Sequence, residues 1–158
     1  MKYGEMVKNF SWEQVLKTFD WNPEEKFNMA HECCDRFADG SNRIAIYWED
    51  EFGNKDIWSY DRLKEQSNRM ANALRSLGIK KGDRVAGLLG KEMELIITVL
   101  AAWKIGAVYV PLFTAFGPEA IIHRIKDAGC RLLITRKEQA AKIEGQKLPC
   151  HIILTDGL

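Results

Sequence analysis

Three short apolar runs, Arg84 to Leu89, Ala107 to Leu112 and Arg131 to Thr135, recur through the middle of the chain, and each gap between them is long enough for a helix. Runs of that length bounded by polar turns predict strands, so the alternation reads as strand, helix, strand, helix, strand in a wound α/β core. The first gap, Met93 to Ile105, is apolar nearly all round, as expected of a helix buried between a sheet and other helices. Gly106 ends it. In the second gap Pro118 takes a first helical position after Gly117, Ile121, Ile122, Ile125 and Ala128 repeat on an inner face, and Gly129 closes the helix. A short polar helix from Lys137 to Glu144 and a last strand from His151 to Leu154 are expected beyond it. Sequential strands joined by helices imply right-handed crossovers and an open, largely parallel sheet with an edge that must be covered.

Upstream, Arg43 to Trp48 and Lys55 to Ser59 are rich in β-formers and flank Gly53-Asn54, which predicts a hairpin. Ser59 then caps a helix with Asp61 in its first turn. Leu63, Ser67, Met70, Leu74 and Leu77 fall on its inner face, and Gly78 supplies the left-handed residue that ends it. Nearer the N-terminus, Ser11 is expected to cap a short helix with Val15, Leu16 and Phe19 on one side. After a break at Asn22-Pro23, a second helix carries Met29, Cys33 and Phe37. The organisation read from the pattern is a single domain: a helical wrap over 1–42, a β-hairpin over 43–59 and a wound α/β core over 60–158.

Composition narrows the partners. Lysine plus arginine number 23 against 22 for aspartate plus glutamate, so no global charge attracts nucleic acid or an anionic membrane. The chain is long enough for a real core. Four cysteines without a CxxC, and three histidines far apart, indicate neither a disulfide framework nor a metal site. His31 and Cys34 lie three apart, but two ligands make no centre. The charged N-terminal stretch lacks the apolar run of a signal peptide, and no segment is long enough to span a bilayer. The cytoplasm is the expected compartment.

Candidate chemistry is sparse. Gly87 to Lys91 resembles a phosphate loop only at Gly90-Lys91, and Glu92 follows where a Ser or Thr would be needed. No nucleophile stands beside a base.

Order and identity of several short motifs nevertheless carry a resemblance. Ser59-Tyr60 with Leu63, then Asn68-Arg69 with Ala71-Asn72, Gly82-Asp83-Arg84-Val85-Ala86, Lys104 to Leu112 and Asp127 to Thr135 together resemble the N-terminal part of AMP-forming acyl-CoA synthetases. Phe27 to Ala30, Cys34 to Arg36, and Phe113 to Phe116 before Gly117-Pro118-Glu119-Ala120 are most similar to acetyl-CoA synthetases and their short- and medium-chain relatives. The resemblance implies an incomplete part of that family's larger N-terminal domain. It also implies the reaction of the whole: a carboxylate and ATP give an acyl-adenylate and pyrophosphate, and coenzyme A then displaces AMP. ATP, Mg2+ and coenzyme A are the cofactors implied for a full-length parent.

The family's Ser/Thr/Gly-rich phosphate loop, its Thr-Gly-Asp and its C-terminal lysine have no counterpart here, and Thr155-Asp156-Gly157 reads as a turn. No catalytic and no metal-binding residue is therefore expected in this chain, the chain alone is expected to be inactive, and none of the cofactors is expected to bind it tightly. The resemblance places Phe113, Thr114 and Ala115 beside coenzyme A, with Thr114 and Ala115 standing where relatives often have two glycines. The bland alternative makes Phe113 and Phe116 core aromatics at a strand end. Arg136, Lys137 and Lys142 lie where relatives place cations for the coenzyme's 3'-phosphate, out of register, and otherwise read as solvated helix charges.

The expected partners are the rest of a synthetase chain, a small carboxylate and coenzyme A, with no nucleic acid and no membrane span. Self-association through an exposed sheet edge is expected too. Two competing readings are a non-catalytic α/β module that binds or complements another chain, and an adenylate-forming ligase of aryl or amino acids.

Overall fold

The winding of the core follows from the spatial order of its strands. The computed structural model describes residues 3–17 and 26–156. It begins with helices α1 (Tyr3–Lys8), α2 (Trp12–Leu16) and α3 (Met29–Cys33), then a 3-10 turn (Asp35–Phe37) and the hairpin strands β1 (Ile44–Glu49) and β2 (Lys55–Ser59). The core runs α4 (Tyr60–Ser76), β3 (Arg84–Leu88), α5 (Met93–Lys104), β4 (Val108–Leu112), α6 (Pro118–Asp127), β5 (Leu132–Thr135), α7 (Lys137–Ala140), a 3-10 turn (Ala141–Ile143) and β6 (His151–Leu154).

The four core strands are parallel in the order β4-β3-β5-β6. From β3 the chain steps one way to β4 through α5, then passes back across β3 to β5 through α6. Right-handed crossovers in opposite directions put the two helices on opposite faces, and the side chains sort accordingly. Val85, Leu132 and Ile134 pack with Leu74, Ala101 and Ala102 of α4 and α5. Ala86, Leu88 and Leu133 pack with Ile121, Ile125 and Ile143 on the other side. The architecture is thus the predicted open, parallel α/β sheet with flanking helices and an N-terminal hairpin.

The antiparallel hairpin, with Trp48 opposite Asp56 and Tyr47 opposite Ile57, lies on the outer side of α5. Trp58, Leu63, Met93 and Leu100 make a third apolar cluster there with Ala30 and Cys34 of the α3 region. This is why α5 is apolar nearly all round: one side meets the sheet, the other the hairpin. Polar groups fix the same junction. Asn28 Oδ1 accepts from the N–H groups of Ala30 (3.0 Å) and His31 (3.3 Å), while its Nδ2 donates to the Trp103 carbonyl (2.9 Å) at the end of α5. Lys104, with only 8% of its side chain exposed, reaches Asp35 at 2.8 Å and Asn68 Oδ1 at 2.7 Å.

Local departures from the pattern have local causes. Ser11 precedes α2 in extended conformation but makes no side-chain cap, and α2 has no buried residue, so this segment does not wrap the core. The helix expected to carry Met29, Cys33 and Phe37 breaks at Cys34 (φ −137°, ψ −64°) and resumes as the 3-10 turn. Leu77 is 51% exposed because it already lies past the last turn of α4, and Ala71 takes its place inside. The Lys137 to Glu144 helix is a single α-turn continued as 3-10, and its Ile143 is buried. The expectations for Phe19, the Asn22-Pro23 break and Gly157 lie outside the described residues. No helix among the described residues is long and apolar enough to cross a membrane.

Candidate functional site

Open wound sheets bind ligands outside the carboxyl ends of their strands, above all where successive connections leave to opposite faces. Two places meet that description: the loop after β4 and the junction between β3 and β5.

After Leu112 the chain makes a tight turn over Phe113 to Phe116, closed by the Phe116 N–H donating to the Phe113 carbonyl at 3.0 Å. Thr114 and Ala115 occupy the turn, and Lys142 Nζ donates to the Thr114 carbonyl. Phe113 is 64% exposed, while Phe116 packs against the core beneath α6. The two rings meet edge to face with centroids 5.7 Å apart, and the Arg124 guanidinium sits 4.2 Å from the centre of the Phe116 ring. The bland reading therefore describes Phe116 and not Phe113.

The result is an aromatic ledge at a strand end with two cations beside it. An exposed ring suits an aromatic base or an apolar arm, and Lys142 and Arg124 suit phosphate. That donor set fits coenzyme A, with the β-carbons of Thr114 and Ala115 limiting how closely the turn's backbone can be approached.

The β3/β5 junction is different. Here Arg136 Nη1 pairs with Glu92 Oε1 at 2.6 Å and its Nε lies 3.7 Å from Asp156 Oδ2. Asp156 in turn accepts from the Lys137 N–H at 2.9 Å, and Thr135 Oγ1 donates to the Leu88 carbonyl at 2.9 Å. The ends of β3, β5 and β6 are thereby stitched together. Above them, under the hairpin, opens a cleft of about 950 Å³ whose walls carry six carboxylates against three cationic side chains. Two carboxylates around one guanidinium do not fit a triphosphate. Lys91 turns its backbone carbonyl to Trp48 Nε1 at 2.7 Å, and Gly90-Lys91 forms no phosphate cradle.

Of the three cations singled out by resemblance, only Lys142 reaches the β4 loop. Arg136 is held by Glu92 and Asp156 at the β3/β5 junction, where Lys137 gives Asp156 only its backbone N–H. The sequence reading missed Arg124 at the ledge and the Glu92, Arg136 and Asp156 cluster altogether. The latter joins residues 44 positions apart, which only the β3/β5 adjacency brings together.

Among the described residues no group of three or more His, Cys, Asp or Glu could hold a metal ion. All four cysteines are free thiols. Burial pushes Cys34 and Cys150 up to about 11, the opposite of what a nucleophile needs.

Comparison with known proteins agrees with the motifs. Residues 35–157 match the family model described as AMP-binding enzyme. The chain is 37% identical to the acetyl-coenzyme A synthetase of Streptomyces avermitilis over 144 residues, covering 84% of this chain and 22% of that protein. It is 34% identical to the acetyl-coenzyme A synthetase of Bacillus subtilis, covering 98% of this chain and 28% of the relative. The crystal structure of Brucella canis acyl-CoA synthetase superposes with a TM-score of 0.84 at 37% identity, over 99% of this chain and 29% of that one. The chain thus spans less than a third of the length of these proteins.

Proposed function

The chain belongs to the AMP-binding enzyme family, and from that premise we propose that it forms the N-terminal part of an AMP-forming acyl-CoA synthetase of the acetate-activating kind. The observation that carries this reading is the superposition of 99% of the chain on an acyl-CoA synthetase. The acetyl-coenzyme A synthetases among the relatives support acetate over an aryl or amino acid substrate.

In this reading the whole synthetase converts a carboxylate and ATP to an acyl-adenylate, and coenzyme A then displaces AMP. ATP and Mg2+ are handled outside these 158 residues, whose β3/β5 junction offers carboxylates where a triphosphate needs donors. What this chain supplies is the sheet and one wall of the coenzyme A site. Phe113, Thr114 and Ala115 border the coenzyme, Phe113 lying against its apolar part and Lys142 and Arg124 standing nearest its phosphates. The partner is the rest of the synthetase, the compartment the cytoplasm, and the chain alone does not adenylate.

A domain exchange tests the reading. These residues replace the matched 28% of the Bacillus subtilis enzyme, and the folded chimera is assayed for acetate-dependent ATP–pyrophosphate exchange and for acetyl-CoA formation. The expected result is activity in both. In that chimera Phe113→Ala raises the KM for coenzyme A severalfold and leaves the exchange half-reaction unchanged. A chimera that folds but catalyses neither step contradicts the assignment, and a Phe113→Ala chimera with an unaltered KM contradicts the placing of the loop.

A further inference from the structure

The turn after β4 is held from outside itself. Its closing hydrogen bond, from the Phe116 N–H to the Phe113 carbonyl, leaves the carbonyl of the middle peptide to find a partner elsewhere. That carbonyl belongs to Thr114, and its partner is Lys142 Nζ, 28 positions further along the chain. Lys142 sits in the 3-10 turn Ala141–Ile143, which is anchored where Ile143, 3% exposed, enters the apolar cluster with Leu112, Ile121 and Phe116. Lys142 and Thr114 are both half-buried, so water competes less for this charge-assisted bond than it would on an open surface. Arg124 is engaged on the other side. Its Nη1 donates to the Ala120 carbonyl, one turn back along α6, at 3.1 Å, while its guanidinium lies over the Phe116 ring. Two cations beside an aromatic ledge suit phosphate, but each of these already has a partner in the turn or in its helix.

We propose, on the reading that this turn borders coenzyme A, that Lys142 is a positioning residue for the coenzyme: it holds the Thr114 carbonyl, thereby sets where the Phe113 ring stands, and acts through the turn and not on the 3'-phosphate. The two common forms of such a turn differ by a flip of the middle peptide, and the flipped form needs a positive φ at its third residue. Ala115 is that residue, and it does not have a positive φ. A flip would strain Ala115 and turn the Thr114 carbonyl away from the ammonium. Lys142 and Ala115 therefore select the same form. Phe113, 64% exposed and backed edge to face by Phe116, is the group whose direction this form fixes.

Two measurements test this, one of them independent of the coenzyme. In the purified chain, Lys142→Met keeps the aliphatic stem and removes the charge. The Phe116 N–H, which closes the turn, should then exchange with solvent about tenfold faster by NMR, while the amides of β5 keep their protection and Lys142→Arg keeps that of Phe116. Lys142→Ala carries the test if the methionine variant does not melt cooperatively. In the Bacillus subtilis chimera, Lys142→Met should raise the KM for coenzyme A severalfold, and that for 3'-dephospho-coenzyme A by the same factor, and Lys142→Arg should bring both back toward the unsubstituted values. Unchanged Phe116 exchange overturns the proposal whatever the turn binds. A loss seen with coenzyme A and absent with the dephospho form makes Lys142 a direct phosphate ligand and overturns it too. If Phe113→Ala raises the KM and Lys142→Met does not, the proposal fails while the reading of the turn stands. If neither variant alters the KM, that reading fails and the proposal falls with it.

Discussion

At Gly87 the absence of a side chain is a packing requirement. A β-carbon there would lie 2.7 Å from Tyr109 Cε2 and closer still to the hydroxyl, because the phenol of β4 crosses over β3 at that point. The hydroxyl is buried without a hydrogen-bond partner among the described residues. Gly87→Ala should therefore cost about 1–3 kcal/mol in urea denaturation, as an overpacked core does. Tyr109→Phe should cost little, since an unpartnered buried hydroxyl contributes no stability, and should relieve part of the Gly87→Ala loss. Burial also pushes the Tyr109 phenol up to about 12 from 10, and the Cys34 and Cys150 thiols up to about 11 from 9. Each folded group holds its proton to higher pH than the unfolded chain does. Stability linked to them is thus present below about pH 9 and lost as pH rises through the folded values. Denaturation midpoints should fall between pH 8 and 11, and Tyr109→Phe should lessen the fall above pH 10.

At the scale of elements, capping separates what the sequence could say from what it could not. Ser59 and Ser11 look alike as residues before helices, yet Ser59 Oγ accepts from the Arg62 N–H at 3.2 Å and Ser11 makes no such bond. Ser59→Ala should cost about 1 kcal/mol and Ser11→Ala almost nothing, a contrast read directly from thermal melts. The core strands and the helices α4, α5 and α6 were legible because burial imposes a strong period on 84–135, with Gly78, Gly106 and Gly129 all at positive φ where the helices end. The Cys34 break and the buried Ile143 were not, because each is decided by residues far along the chain. Asp35 is drawn to Lys104, and Ile143 fills the α6 face of the sheet. With both partners largely buried, Lys104→Met or Asp35→Ala should destabilise by about 3 kcal/mol, since removing one partner leaves the other's charge uncompensated. High salt should barely change that loss.

At the scale of the molecule, the site is divided between what local sequence encodes and what winding creates. Phe113 to Ala115 could be named in advance because a short motif following a strand resembles a segment of acetyl-CoA synthetases, and such a motif is a local feature. Of its cationic flank the resemblance pointed to Lys142 but not to Arg124, which arrives from α6 and meets Phe116 only in the folded chain. The junction of β3 and β5, where a wound sheet would ordinarily receive a ligand, is closed by Glu92, Arg136 and Asp156. Among the described residues the fold presents an aromatic ledge at the end of β4, which we propose borders coenzyme A, and carboxylates in place of phosphate donors at the β3/β5 junction. The most direct test is ATP–pyrophosphate exchange by the purified 158-residue chain with acetate and Mg2+. No exchange above an enzyme-free blank is predicted. Exchange clearly above the blank that co-elutes with the chain in gel filtration would show that these residues carry adenylation chemistry and contradict the account.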